Sequence, residues 1–375
     1  MLRRIGLNLL YLVPRQVGGT EIYARRLIAA LGRRHPDTEL VVFCGQEAAE
    51  VLPDPEWPAS VRVRRLPVRC TSKPLRIAAE LAQLPAAAAA ARVDVLHSLG
   101  TTTPFVSHCP RVVTVHDLIY EVFPDTFPTA ARWGLKAIVP LGARRADRVI
   151  TDSRATREQL LERLKLDPAR VDAVHLGLGM REAPVPAAEP ELRRRFELGE
   201  RPVVLTVAAA LAHKNLDRLL EAMTRVHGEA ALVMVGHAGR DAERLQAKAA
   251  ARGFGDRFRA TGWVEDAELE GLYRLASAFV YPSLHEGFGM PVLEAMHRGV
   301  PVACSDATSL PEVAGDAALL FDPLSVDAIA AAISRLLEEP GLAARLAQAG
   351  RARAATFTWE ATADATWAVY ERAVR

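Results

Sequence analysis

The stretch Tyr281–Glu294, YPSLHEGFGMPVLE, carries the chain from an apolar strand-like run into a helix and is bracketed by two carboxylates, Glu286 and Glu294. Upstream, Leu275–Tyr281 (LASAFVY) reads as a helix end passing into a buried strand, broken by Pro282 and followed by a Ser283-Leu284-His285 loop. Gly287 and Gly289 flank Phe288, and without a Cβ the backbone there can approach a ligand closely or take positive φ. Pro291 suits the first position of a helix, where no intrahelical N–H is needed, so a helix is expected from about Pro291 to His297. Its N-terminus offers N–H groups and a positive dipole end to phosphate oxygens. Glu286 would then lie in the loop and Glu294 about one turn inside the helix, facing one cavity at different depths. Carboxylates repel a diphosphate, so their expected partners are neutral hydroxyls, of a sugar for Glu286 and of a ribose for Glu294. The plainer alternative is a tight turn with a solvated or capping Glu294; the joint presence of Glu, two Gly, Pro and Glu weighs towards a nucleotide-sugar site.

Working outwards, short apolar runs alternate with helical stretches in the rhythm of parallel sheets. Arg4–Val13 reads as the first strand, then Gln16-Val17-Gly18-Gly19-Thr20-Glu21, then a helix from about Glu21 to Arg33. Strand, glycine pair and helix make an anion cradle or a plain βα turn. There is no G-x-G-x-x-G here, so a nicotinamide dinucleotide gets little support. Leu40–Cys44, Val61–Leu66, Val93–His97 and Arg111–His116 are further strands, with His116-Asp117 at a strand's carboxyl end, where open sheets seat ligands. His97 is a weaker second candidate. Asp147–Ser153 reads as a strand ending at a helix cap on Ser153, Val171–Leu176 as one more strand, and the Gly-, Pro- and Ala-rich 177–190 as the interdomain linker. In the second half Pro202–Val207 is a strand and Lys214 precedes a helix N-terminus, where an ammonium can neutralise a leaving diphosphate without a metal. Ala231–Val235, Phe258–Gly262 and Gly299–Cys304 continue the strands, and Val326–Glu338 and Leu342–Ala354 are helices. Phe357, Trp359, Trp367 and Tyr370 lie on a last helix whose aromatic face is expected to pack into a core.

With these motifs in place, the segment resembles the E-x7-E signature of retaining glycosyltransferases of family 4, and the likeness runs over nearly the whole chain. The resemblance implies an α/β GT-B fold, two facing Rossmann-like domains with a C-terminal crossover helix. The expected division is 1–178 on the acceptor side, 179–355 binding the nucleotide sugar, and 356–375 returning to the first domain. It implies transfer of a hexose from a nucleoside diphosphate sugar to a hydroxyl with retention, by a front-face route assisted by the leaving phosphate; no D-x-D occurs, so no catalytic metal is expected. Carried over residue by residue, His116, Glu286 and Lys214 are the catalytic candidates. Gly18, Gly19, Lys214, Trp263, Val264, Glu286, Gly287, Phe288, Gly289, Met290 and Glu294 are the donor-binding candidates, with Trp263 and Val264 at the base or in ordinary packing. VTVHDLIYEVFP (113–124) resembles the mannose-transferring branch, which favours GDP-mannose over a UDP sugar. The implied acceptor is a glycan or a lipid-linked acceptor in cell-envelope or exopolysaccharide synthesis. Many relatives carry an arginine near Ala208-Ala209; here half of that phosphate clamp is missing, and His213, Arg240 or a first-domain group would compensate. The rival readings are a nucleotide-sugar epimerase or hydrolase and a catalytically silent binding protein of the same fold.

Composition bounds the remaining classes. The 375 residues suit two domains of about 180 residues each. At 50% hydrophobic, 25% charged and a net charge of +2, the chain reads as globular and gives no electrostatic case for nucleic acid. Cys44, Cys70, Cys109 and Cys304 are scattered, without zinc or disulfide spacing, which suits reducing cytosol. The basic, apolar start lacks a cleavage site and no run reaches transmembrane length. From Arg62 to Arg76 the chain carries Arg62, Arg64, Arg65, Arg69, Lys73 and Arg76 and no acid. That is a solvated face or a peripheral contact with anionic lipid at the inner face of the membrane.

Overall fold

The computed structural model of the chain describes residues 2–14, 18–178, 184–236 and 241–375. The chain divides into two compact units, Met1–Gly179 with Phe357–Arg375, and Met180–Thr356.

Among its described residues the first unit is built on seven strands: β1 (Arg4–Asn8), β2 (Glu39–Cys44), β3 (Val61–Arg65), β4 (Val95–Ser98), β5 (Arg111–Val115), β6 (Arg148–Thr151) and β7 (Val171–Ala173). They are all parallel, in the order β3-β2-β1-β4-β5-β6-β7. The central strands are apolar on both faces because helices cover both, so their sequence shows continuous runs rather than alternation. The expected first strand ends early. The Asn8 side chain accepts from the Leu10 backbone N–H at 3.0 Å and turns the chain, and Leu9, Leu10, Leu12 and Val13 stay apolar because they are buried, not because they are strand. The following helix, Gly18–Arg34, starts at the glycine pair rather than at Glu21, and Gln16-Val17 lie outside the described residues. The first three cations of the basic run lie on the edge strand of this sheet, and Lys73 and Arg76 lie on the helix Lys73–Ala91 that follows. Arg62, Arg64 and Arg65 are exposed on β3, where charge blocks edge-to-edge pairing with another chain.

The C-terminal helix, Trp359–Ala373, belongs to this first unit. Thr358 caps it, the Trp359 indole donates to the Leu178 carbonyl at 2.7 Å, and a Cβ on Gly177 would stand 2.4 Å from the Trp359 backbone nitrogen. Only glycine allows that approach. Tyr370 is fully buried and its hydroxyl meets the His97 ring at 2.7 Å, while Trp367 stacks on His35 at 3.6 Å.

Among its described residues the second unit has six strands: β8 (Val203–Val207), β9 (Ala231–Val235), β10 (Phe258–Gly262), β11 (Ala276–Tyr281), β12 (Val302–Ser305) and β13 (Leu319–Phe321). They too are parallel, in the order β10-β9-β8-β11-β12-β13. Ala278 and Val280 of β11 face a core shared with the helices Leu216–Met223 and Val326–Glu338. With a period of two, Phe279 and Tyr281 face the other side. The strand order reverses between β8 and β11, and the loops leaving their carboxyl ends carry Lys214 and Glu286. A switch point of this kind is where open parallel sheets seat ligands.

Candidate functional site

In the second unit the loop after β11 is held by short polar side chains. Ser309 donates to the Phe288 carbonyl at 2.6 Å and to that of Glu286 at 3.1 Å, and the Glu286 N–H donates to the Thr308 hydroxyl at 3.0 Å. The Leu284 N–H donates to the His213 carbonyl at 2.7 Å, tying this loop to the one after β8. Gly289 caps the helix Met290–His297 at φ +118°, and a Cβ there would stand 2.6 Å from Leu310 Cδ2. The glycine is therefore required twice over, by conformation and by space. Met290, not Pro291, is the first helical residue; Pro291 sits one place later, still where no intrahelical donor is needed.

Lys214 and Glu286, separately assigned to phosphate and sugar in the sequence reading, touch each other. The Lys214 ammonium donates to Glu286 Oε1 at 2.6 Å and to the Tyr281 hydroxyl at 2.9 Å, and all three side chains are largely buried. Burial alone would push the Glu286 carboxyl up, but the adjacent ammonium outweighs it and holds the carboxyl below its usual range. Burial would likewise lower the Lys214 pKa, and Tyr281 and Glu286 together reverse that into a rise. The site thus holds one positive and one negative charge in contact.

Glu294 sits apart from this pair. It accepts from the Tyr273 hydroxyl at 3.2 Å, and burial raises its pKa despite the nearby Arg298. Arg298 itself donates to Glu270 at 2.6 Å and to the Glu294 carbonyl at 2.9 Å. The two carboxylates of the motif therefore differ in state: Glu286 is held as an anion by a cation, and Glu294 is weakly solvated beside a phenol. Trp263 follows Gly262 (φ +69°) and is 81% exposed, which rules out the packing alternative, while Val264 is buried. At the loop after β8, Ala208 is buried and a Cβ on Gly236 (φ +136°) would stand 2.4 Å from the Ala208 carbonyl oxygen. His213 supplies no second positive charge here. Burial first, and the Lys214 charge next, push its pKa down to about 4. Arg240 lies outside the described residues.

In the first unit, Gly18 and Gly19 open the first helix and are exposed, and a Cβ on either would meet nothing within 4 Å, so no packing demands them. His116 follows β5. Its Nδ1 is 2.7 Å from Asp152 and its Nε2 is 2.9 Å from the Leu99 carbonyl, with Tyr23 edge-on to the ring at 4.9 Å. Both neighbours are acceptors, so both ring nitrogens carry hydrogen. Burial opposes the charge, but Asp152 outweighs it and raises the pKa to about 9. His97 is different. It is fully buried, bonded to Tyr370 and Thr114, and pushed down to about 3 by burial, which makes it a neutral core histidine and removes it as a candidate. Ser153 caps the helix Arg154–Leu164, accepting from the Thr156 N–H at 3.0 Å. Asp152, Tyr281 and Tyr273 were not singled out from the sequence; Tyr281 stands inside the deciding stretch, but nothing local reveals its partner.

Among the described residues no three His, Cys, Asp or Glu side chains gather to hold a metal. No helix there is long and apolar enough to cross a membrane.

Two family models match the chain, Glycosyltransferase Family 4 over residues 17–179 and Glycosyl transferases group 1 over residues 188–353. The chain is 32% identical over 258 residues to the O-antigen chain mannosyltransferase B of Escherichia coli, covering 66% of this chain and 67% of that one. It is 30% identical over 406 residues to the D-inositol 3-phosphate glycosyltransferase of Salinispora arenicola, covering 95% and 88%. Anabaena Alr3699/HepE in complex with UDP and glucose superposes with a TM-score of 0.74 at 18% identity, covering 99% of this chain and all of that one, a likeness of fold. With two switch-point sheets, the E-x7-E loop folded as described and relatives matched along most of its length, the chain belongs to glycosyltransferase family 4, with the GT-B fold.

Proposed function

We propose that this glycosyltransferase moves a mannosyl residue from GDP-mannose to a hydroxyl of a glycan or lipid-linked acceptor, with retention and without a metal, in cell-envelope or exopolysaccharide synthesis. The observation that carries the reading is the Lys214–Glu286 contact of 2.6 Å at the β8/β11 switch point, beside the N-terminus of the Met290–His297 helix. A diphosphate leaving group gains negative charge as the glycosidic bond breaks, and a preplaced ammonium and helix N-terminus stabilise that charge without reorganisation. When the diphosphate draws the ammonium towards itself, Glu286 loses its counter-ion, and sugar hydroxyls can donate to the carboxylate oxygen it leaves. Lys214 and Glu286 are thus exchanged from each other to the two halves of the donor. Gly287–Met290, Gly18 and Gly19 would approach the diphosphate, Glu294 the ribose, Trp263 and Val264 the base, and His116 the sugar. Mannose rests on the O-antigen relative's name and on the 113–124 segment; a UDP sugar is the alternative donor, as bound by the Anabaena neighbour.

A second reading, a silent nucleotide-sugar-binding protein, is favoured by alanine at 208 and 209 and by the neutral His213. Calorimetry with GDP, UDP, GDP-mannose and UDP-glucose, in chelator, on the wild type and on Glu286→Ala tests the first reading. A sugar nucleotide that binds, and loses more affinity in the variant than its bare nucleotide, supports it. No binding at millimolar ligand overturns it, and binding with no transfer to any acceptor leaves the silent reading.

We place the protein in the cytoplasm, peripheral at the membrane's inner face, through the helix Thr129–Arg145 as well as the Arg62–Arg76 edge. That helix has Arg132, Lys136, Arg144 and Arg145 and no acidic residue, yet its outward stripe is Trp133 (66% exposed), Ala137 and Leu141, with Val106 exposed on the same unit. Aromatic and aliphatic exposure flanked by cations suits an anionic lipid interface.

A further inference from the structure

Three aromatic rings stack through the second unit: Tyr281 on Phe279 at 6.0 Å and 19°, and Phe279 on Tyr273 at 5.9 Å and 29°. The Arg298 guanidinium closes the far end, 4.2 Å from the Tyr273 ring centroid. All three rings are buried, the two tyrosines and Phe279 being at most 2% exposed. A stack of this kind could be filled by three phenylalanines if packing were its only task, since a buried phenol must be given a polar partner. The partners it has are the two ends of the glutamate motif. The Tyr281 hydroxyl takes a hydrogen bond from Lys214, which also holds Glu286, and the Tyr273 hydroxyl donates to Glu294.

We propose that Tyr281 and Tyr273 are positioning residues for the donor: one rigid column fixes the spacing of the carboxylate at the sugar end and the carboxylate at the nucleoside end. The inference rests on the donor assignment of Glu286 and Glu294 made above. Tyr281 and Phe279 share strand β11, and Tyr273 lies in the last turn of the helix Asp266–Leu275 just before that strand begins, so chain continuity and ring stacking tie the two hydroxyls together. Tyr281 gives the ammonium a neutral acceptor that remains when Glu286 turns to the sugar. Lys214 therefore stays anchored through the exchange, at the place where diphosphate charge develops. Tyr273 offers a phenolic hydrogen to the buried Glu294 carboxylate, opposing the upward push of burial on its pKa, and so supports Glu294 as an acceptor for hydroxyls.

The two roles predict different kinetics. Tyr273→Phe should weaken GDP and GDP-mannose by one common factor of about tenfold, raising KM with kcat unchanged. Tyr281→Phe should leave GDP binding within about twofold and lower kcat by about tenfold or more. Both variants keep the ring stack, and their melting temperatures report whether it is intact. Double-mutant cycles supply the second measurement: Tyr273→Phe should add nothing in a Glu294→Gln background, nor Tyr281→Phe in Lys214→Gln. Phenylalanine variants equal to wild type in both ligands and in kcat, or additive in the cycles, overturn the positioning role. The same loss pattern in both variants overturns the division between sugar end and nucleoside end. A wild type that binds none of the nucleotides overturns the donor reading itself, and this inference with it.

Discussion

Glu286 and Lys214 meet at 2.6 Å with about a tenth of each side chain exposed, so each is the other's buried counter-ion. Replacing one partner of such a pair leaves an uncompensated charge, at a cost of about 3 kcal/mol or more. Glu286→Gln is therefore expected to lower the melting temperature of the ligand-free protein and to tighten bare GDP or UDP, whose diphosphate replaces the lost anion. Transfer should fall by at least about 100-fold. Calorimetry and a transfer assay on one preparation check this, and weaker diphosphate binding in the variant would contradict it. His116 makes a prediction about pH. Its pKa is raised in the folded protein from an ordinary 6.5 to about 9, so folding takes up a proton. The stabilisation is complete below pH 6.5 and is lost as pH rises through 9, amounting to about 3 kcal/mol. Denaturant titrations from pH 6 to 10 should show this slope in the wild type and a flatter one in His116→Gln.

Among the elements, the Met290–His297 helix depends on one backbone conformation. Gly289→Ala places a Cβ at φ +118° and 2.6 Å from Leu310, which should cost about 1–3 kcal/mol and move the helix N-terminus off the anion. Thermal melts and nucleotide binding should both suffer. Gly18→Ala and Gly19→Ala, with nothing within 4 Å of the new methyl, should leave the melts unchanged and weaken donor binding alone. The helix Thr129–Arg145 is tested with vesicles. Trp133→Ser with Leu141→Ser should abolish co-sedimentation with phosphatidylglycerol vesicles at moderate salt, whereas replacing Arg62, Arg64 and Arg65 should only reduce it. If the arginine variant alone loses binding, the contact lies on the β3 edge. The elements were largely legible in the sequence. Alternating strand and helix, Ser153 as a cap and Gly289 as a turn residue are local properties of period and φ. The first strand ends earlier than its apolar run suggests, because Leu9, Leu10, Leu12 and Val13 are buried in a loop, and period cannot distinguish a buried loop from a buried strand.

At the scale of the molecule, the candidate side chains divide between the two units. Lys214, Tyr281, Glu286, Gly289 and Glu294 all lie within Met180–Thr356, whereas His116 and the C-terminal helix lie in the other unit. Ending the chain at Thr356 removes Tyr370 from His97 and Trp359 from Leu178. Two-step thermal unfolding is the expected outcome, with the first unit's transition lowered or absent and the second unit's transition retained and still raised by nucleotide. A single cooperative loss of both would contradict it.

The sequence by itself determined what neighbours along the chain can settle: an α/β chain with parallel sheets, the glycine-bounded loop and its helix, and the family whose motif that loop carries. Only the tertiary structure decided which charges meet. Lys214 and Glu286 are 72 residues apart, His116 and Asp152 36 apart, and His97 and Tyr370 273 apart. Each pair is brought together by sheet order and by the returning C-terminal helix rather than by local spacing. The same packing made one histidine a partly buried cation and the other a neutral core residue. Desolvation and the partner each ring faces set those states, and neither is written in the residue type.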